Sequence, residues 1–216
     1  MAMTRRRWLA HCSAALVLAP LAAPMPSFAA ATRTLLVVGD SLSAEYGLAR
    51  GTGWVALLEQ RIAREQIAAT VVNASISGDT TAGGLARLPA LLRERKPNVV
   101  VVELGGNDAL RGLPLEATRA NLGEMTKLAK SAGAKVVIVG MQLPPNYGRA
   151  YGDRFAALFA DVAKSEGAAL VPFLLKGVAD VANAEAMFQP DRIHPLASAH
   201  PTMLANVWPV LAPLLK

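Results

Sequence analysis

The sequence predicts an α/β fold: a parallel sheet with helices on both faces. Three observations carry this. Short β-branched runs alternate with longer segments of helical periodicity. The runs are continuously apolar, as strands covered on both sides must be. A polar, glycine-marked loop follows each of the first three runs.

The first run is Thr34-Leu35-Leu36-Val37-Val38, ending at Gly39, and the second is Thr70-Val71-Val72-Asn73-Ala74. The third and longest is Asn98-Val99-Val100-Val101-Val102-Glu103-Leu104, and Lys135-Val136-Val137-Ile138-Val139-Gly140 is the fourth. Ala169-Leu170-Val171 makes a weak fifth. Between them, Trp54, Leu57, Leu58, Arg61, Ile62 and Glu65 share one helical face. Leu122, Met125, Leu128, Ala129 and Ala132 form a second stripe, and Phe155, Leu158, Phe159, Val162 and Ala163 a third. Aromatic residues on such stripes are read as core rather than as a ligand box. Crossovers between parallel strands are expected to be right-handed.

The chain has 216 residues, 53% of them hydrophobic and 18% charged, which excludes a disordered protein and allows one sizeable core. The formal charge is +6, from 22 basic and 16 acidic residues. Three of the bases are Arg5, Arg6 and Arg7, in a segment that reads as an address. Residues 1–7 are basic, residues 8–23 mostly apolar, and Pro24-Met25-Pro26-Ser27-Phe28-Ala29-Ala30 ends in small residues. That order is a secretory signal peptide, with cleavage expected after Ala29 (Ala31 as an alternative). Thr4-Arg5-Arg6-Arg7-Trp8-Leu9 is similar to a twin-arginine export signal. The apolar stretch, broken by His11 and Pro20, falls short of the ~20 residues of a membrane span, so no stable span is expected after cleavage. Removing residues 1–29 leaves 19 bases against 16 acids, and nucleic-acid binding loses its compositional support. The only cysteine, Cys12, lies inside the leader, so the exported chain must be stable without disulfides and cannot hold a Cys-type zinc. No linker, repeat or second composition block appears. Residues 30–216 are read as one periplasmic or secreted domain, expected to be a monomer.

Chemistry-bearing residues sit where the strands end, the side on which open parallel sheets bind ligands. Gly39-Asp40-Ser41-Leu42-Ser43 follows the first strand; alone it reads as an ordinary turn with a helix N-cap serine. Asn73-Ala74-Ser75-Ile76-Ser77-Gly78-Asp79-Thr80 follows the second, and a glycine N–H in such a loop can donate to a developing oxyanion. Gly105-Gly106-Asn107-Asp108 follows the third and brings the Asn107 amide over the same crevice. Near the C-terminus, Asp191-Arg192-Ile193-His194-Pro195 supplies an imidazole with a carboxylate three residues before it, a base and its orienting acid. After the leader the only other histidine is His200, read as a surface residue ahead of Pro201 and the last helix. Asp40 and Asp108 are expected to hold loops through backbone hydrogen bonds.

These four segments, in this order and spacing, resemble the blocks of the SGNH (GDSL) hydrolase family. Leu85-Ala86-Arg87-Leu88-Pro89-Ala90-Leu91-Leu92, Val102-Glu103-Leu104 and Leu143-Pro144-Pro145-Asn146-Tyr147-Gly148 extend the resemblance to that family's bacterial periplasmic thioesterase/lysophospholipase/arylesterase subgroup, over residues 34–215. The resemblance implies a flavodoxin-like three-layer α/β/α fold with a five-stranded sheet in the order 2-1-3-4-5. It implies Ser41 as nucleophile, Asp191 and His194 as its acid and base, and Ser41, Gly78 and Asn107 as oxyanion donors. Small acyl esters or thioesters, lysophospholipids among them, are the implied substrates, with no cofactor and no metal. Two positions depart from the family pattern: Glu45, where a small residue is common, and Arg192, where Gly often precedes Ile-His-Pro. Leu110 and Leu113, in Ala109-Leu110-Arg111-Gly112-Leu113-Pro114, are expected to contact the acyl chain, and Tyr147 to wall the opposite side. A plain connecting loop is the alternative for residues 109–114.

Other signatures fail on context. Gly51-Thr52-Gly53-Trp54-Val55-Ala56 does not follow a strand, and Gly78 to Gly83 lacks the P-loop lysine. Two alternatives to an ester or thioester hydrolase stay open: a carbohydrate O-acetyl esterase on the same scaffold, and a non-catalytic periplasmic binding protein.

Overall fold

The structure, a computed structural model, describes residues 32–215; the expected leader, residues 1–29, lies outside them. Five strands form one parallel sheet: β1 (Arg33–Gly39), β2 (Ala69–Asn73), β3 (Val99–Glu103), β4 (Lys135–Val139) and β5 (Ala169–Val171), in the spatial order β2-β1-β3-β4-β5. Each predicted run is a strand to within one or two residues. Leu35 to Val38 and Val99 to Val102 are essentially inaccessible to solvent, as a central, doubly covered strand requires. Helices α1 (Trp54–Arg64) and α6 (His200–Leu215) pack together on one side. Helices α2 (Thr81–Arg95), α4 (Leu115–Ser131) and α5 (Arg149–Glu166) form the other layer, and α3 (Gly106–Leu110) is a short turn of helix after β3. No described helix is long and apolar enough to cross a membrane.

The register decides where the loops meet. Gly39 at the end of β1 pairs with Glu103 at the end of β3, while β2 lies on the other side of β1. The strand order reverses here, so the loop after β1 is flanked by the loops after β2 and β3. Three sequence-distant turns thus share one edge of the sheet.

The helical stripes are mostly as read, with local shifts. On α5, Phe155, Leu158, Phe159, Val162 and Ala163 are all buried, and the Phe155 and Phe159 rings meet edge to face at 5.1 Å. On α1 the buried face is Trp54, Val55, Leu58 and Ile62, while Leu57 is half-buried and Arg61 lies over the Trp208 ring at 4.1 Å. On α4, Ala132 is exposed because the helix ends there.

His200 corrects the sequence reading. It is 2% exposed rather than on the surface, and its Nδ1 accepts the Trp54 backbone N–H at 2.9 Å. The first turn of α1 has no side-chain cap of its own, since Gly53 is its N-cap, so a histidine from α6 supplies the missing acceptor. Burial lowers the His200 pKa, against the opposing charge of Glu45, which holds the ring neutral and able to accept. A lowered histidine pKa contributes stability that is complete above the unfolded value of ~6.5 and is lost as pH falls from there through the folded value. His200→Ala is therefore expected to cost about 1–3 kcal/mol of unfolding free energy at neutral pH, the cost of a buried donor without an acceptor. In urea melts at pH 7.5 and 5.5, the variant should lose less stability on acidification than the wild type. An identical pH response in the two proteins would refute this role.

Candidate active site

The turn after β1 carries Ser41, half-buried beneath a cleft. Its Oγ lies 2.9 Å from His194 Nε2, across 153 residues of chain. His194 Nδ1 lies 2.6 Å from Asp191 Oδ2, and Asp191 Oδ1 accepts the Ile193 and His194 backbone N–H groups, each at 3.0 Å. One carboxylate thus organises both its own turn and the ring. Partial desolvation pushes the Asp191 carboxyl upward, but the hydrogen bonds from the His194 backbone, the His194 ring and the Ile193 backbone outweigh it and hold the pKa down to about 2. Arg192 explains its own departure from the family pattern. It adopts φ +60°, a left-handed conformation that glycine takes without steric cost and other residues take at roughly 1 kcal/mol.

Asn107 stands in the first turn of α3 and donates its Nδ2 to Asp40 Oδ2 at 3.0 Å. Gly105, at φ +121°, makes the sharp exit from β3 that a side chain would resist. Gly78 sits at φ +79°, and its carbonyl accepts from Arg111 Nη2 at 2.8 Å. That bond ties the loop after β2 to the end of α3, while Ile76 N–H donates to the Gly39 carbonyl and ties the same loop to β1. Among the described residues, neither the Ser41 nor the Gly78 backbone N–H has a protein acceptor. Asp108 holds the frame from below, accepting Thr81 N–H (2.9 Å), the Thr118 hydroxyl (3.3 Å) and, in a short contact, the Thr81 hydroxyl.

The cleft above Ser41 has a volume of about 840 Å³, within the usual range for small-molecule sites. Leu110, Met141, Phe173 and Phe188 give it apolar wall, and Tyr147 and Ile193 stand toward solvent. Leu110 and Tyr147 line it, whereas Leu113 and Gly78 are not among its lining residues. The segment expected to contact the acyl chain, residues 109–114, is the last two residues of α3 and the turn that follows them. Its turn is closed by Leu113 N–H on the Asp108 carbonyl with Gly112 at φ +65°, which leaves Leu113 partly exposed elsewhere. Glu45 does not line the cleft; its carboxylate accepts the Gly51 and Gly53 N–H groups and closes the loop ahead of α1.

Three features escaped the sequence reading. The Tyr46 ring packs on the His194 ring at 4.3 Å between centroids. Gln189 stitches that contact in place, donating its Nε2 to the carbonyls of Tyr46 (3.0 Å) and Pro195 (3.2 Å). Beneath the β1 turn, Glu103 is buried and accepts from Ser43 Oγ at 2.7 Å, and Ser43 Oγ in turn accepts from Trp54 Nε1 at 3.2 Å. Burial, with the nearby Asp40 charge, raises the Glu103 pKa well above the usual carboxylate range. A carboxyl at the end of an otherwise all-valine strand was the one available signal, because so costly a burial demands a partner.

Taken chemically, a hydroxyl on an oriented imidazole, with its own unpaired backbone N–H, the Asn107 amide in the cleft wall and an apolar cleft above, is an arrangement for acyl transfer. The sequence pattern of the GDSL-like lipase/acylhydrolase family matches residues 37–201. The chain belongs to this family. Among GDSL-like relatives, it is 56% identical to the esterase TesA of Pseudomonas aeruginosa over 186 residues, covering 86% of this chain and 91% of that one. It is 42% identical to the thioesterase 1/protease 1/lysophospholipase L1 of Escherichia coli K12 over 188 residues, 87% and 88% of the two chains. A TesA crystal structure with 56% identity superposes with a TM-score of 0.81, covering 85% of this chain and all of that one. The three-layer fold and the strand order 2-1-3-4-5 are those of this GDSL-like family.

Proposed function

We propose that this GDSL-like hydrolase cleaves carboxylic esters and acyl thioesters through an acyl-serine intermediate on Ser41. The observation that carries the reading is the continuous contact from Ser41 Oγ to His194 Nε2 and from His194 Nδ1 to Asp191. Ser41 Oγ attacks the acyl carbonyl carbon while His194 Nε2 takes the hydroxyl proton, and Asp191 stabilises the imidazolium that forms. The negative tetrahedral oxygen is received by the Ser41 and Gly78 backbone N–H groups and by the second N–H of the Asn107 amide. Collapse expels the alkoxide or thiolate, which takes the proton from His194. Water then repeats the sequence on the acyl-serine and releases the acid. The names of the relatives support esters and thioesters as substrates and lysophospholipids as a further class. The basic, apolar and small-residue order of residues 1–29 supports export and action in the periplasm.

The test is a panel of p-nitrophenyl esters of increasing acyl length, an acyl thioester, a lysophospholipid and an acetylated sugar. Hydrolysis of the aryl esters and the thioester is expected. Since Leu110 lines the cleft and Leu113 does not, Leu110→Ala should shift the chain-length profile and Leu113→Ala should leave it as it is. Acetate release from the sugar with no action on aryl ester or thioester would overturn the reading.

A further inference from the structure

The chemistry just proposed uses one N–H of the Asn107 amide, and that amide must be held the right way round. An asparagine side chain is nearly symmetrical in shape but opposite in function at its two ends: Nδ2 donates, Oδ1 accepts. Turned over, Asn107 would offer a carbonyl oxygen where a donor is needed. What prevents this is the group it faces. Asp40 Oδ2 lies 3.0 Å from Asn107 Nδ2. A carboxylate only accepts, so the inverted amide would set two oxygens against each other at that distance. Asp40 is itself fixed, being 3% exposed with its Oδ1 accepting Leu42 N–H at 3.0 Å.

We propose that Asp40 is the positioning residue of the oxyanion site: its carboxylate selects the orientation of the Asn107 amide that presents an N–H to the cleft. This rests on the oxyanion role of Asn107 and goes beyond the loop-holding role expected for Asp40. The carboxylate does not touch the reacting atoms; it acts through Asn107.

The selection depends on charge. A protonated Asp40 carries an O–H that can donate to Oδ1, so the inverted amide becomes satisfied and the N–H is withdrawn. Burial raises the Asp40 pKa to about 6, reinforced by the Asp79 charge and opposed by Leu42 N–H, the His194 charge and the Asn107 amide. The other ionisable groups around this turn are Glu103, whose Oε2 lies 3.4 Å from Asp40 N, and Arg87, which donates to the Gly39 carbonyl and is paired with Asp79. Orientation is therefore secure at pH 8 and is progressively lost as pH falls through about 6.

The experiment is a double-mutant cycle in kcat and KM on a p-nitrophenyl ester, using wild type, Asp40→Asn, Asn107→Ala and the double variant. Asn107→Ala should lower kcat by about 10²–10³-fold, the scale of one oxyanion donor. Asp40→Asn keeps the shape but can donate to Oδ1, and it should lower kcat by about 10–100-fold, a part of that loss, with KM changed less than about twofold. In the Asn107→Ala background it should change kcat by less than about threefold, because the group it positions is gone. The kcat ratio of wild type to Asn107→Ala should also shrink as pH falls through 6, a measurement that needs no Asp40 variant to fold. Equal losses from Asp40→Asn in both backgrounds, wild-type kcat in Asp40→Asn, or a pH-independent ratio would each overturn the inference. Wild-type kcat in Asn107→Ala would instead overturn the oxyanion assignment beneath it.

Discussion

Ser41→Ala is expected to lower kcat on a p-nitrophenyl ester by on the order of 10⁴- to 10⁶-fold, the range seen when a nucleophile is removed and donors and binding remain. The substitution deletes one oxygen and leaves the Ser41 backbone N–H in place. Ser41 Oγ has His194 Nε2 as its side-chain contact, so no other part of the fold depends on it. The melting temperature should stay within a degree or two of wild type, as for a change worth less than about 0.5 kcal/mol. A fluorophosphonate should add one adduct to the wild type and none to the variant, read by intact mass. A variant within tenfold of wild-type turnover would remove Ser41 from the chemistry.

Asp191→Asn is the second large effect, and its origin is a tautomer. The amide oxygen that the substitution leaves can still accept from the Ile193 and His194 backbone N–H groups, so the turn that presents the ring survives. The new amide nitrogen, however, would face His194 Nδ1 where Asp191 Oδ2 now stands at 2.6 Å. A donor there needs Nδ1 unprotonated, which moves the ring proton to Nε2, where it cannot take the proton of Ser41 Oγ. The comparable change in a buried triad costs ~10⁴-fold in kcat. Here the carboxylate side chain is 38% exposed and water can relax the conflict, so a loss of about 10²–10⁴-fold is expected. The pH behaviour follows from the depressed carboxyl. With a folded pKa of about 2, below the ordinary 3.8, Asp191 contributes stability that is present above 3.8 and lost as pH falls from there toward 2. It stays ionised across the working range, so the acid limb of kcat/KM in the wild type should not report Asp191. An Asp191→Asn enzyme with wild-type kcat would show that the carboxylate does not orient the base.

Most of the fold was legible because local chemistry encodes it. Continuous valine runs suit doubly covered strands, as β3 shows, while β2 at the sheet edge is only half-buried; the Phe155 to Ala163 stripe suits a helix face against a core. The reading failed where a residue's environment is built by partners far along the chain. His200 looked like a surface residue ahead of a proline, yet it is buried because α6 lies against α1 and its ring meets Trp54, 146 residues away. Tyr46 carries no signal in its own neighbourhood; its packing on His194 exists because Gln189 joins the two turns. Leu113 fitted an acyl-contact pattern by composition, but the closed turn at Gly112 leaves it away from the cleft.

By itself, the amino-acid order determined the strands, the helices α1, α4 and α5, the short polar turns that follow the first three strands, and the few residues equipped for acyl chemistry; α2 carried no stripe that was read. Only the tertiary structure decided which of these groups address one another. It brought the His194 ring within 2.9 Å of Ser41 Oγ, set His200 against the Trp54 backbone, turned Asp40 toward Asn107, and kept Glu103 as a buried partner of Ser43. The physical reason is range. Backbone preference and apolar periodicity act over a few residues, whereas these contacts arise where the strand order reverses at β1, with loops held by hydrogen bonds spanning 60 to 153 residues.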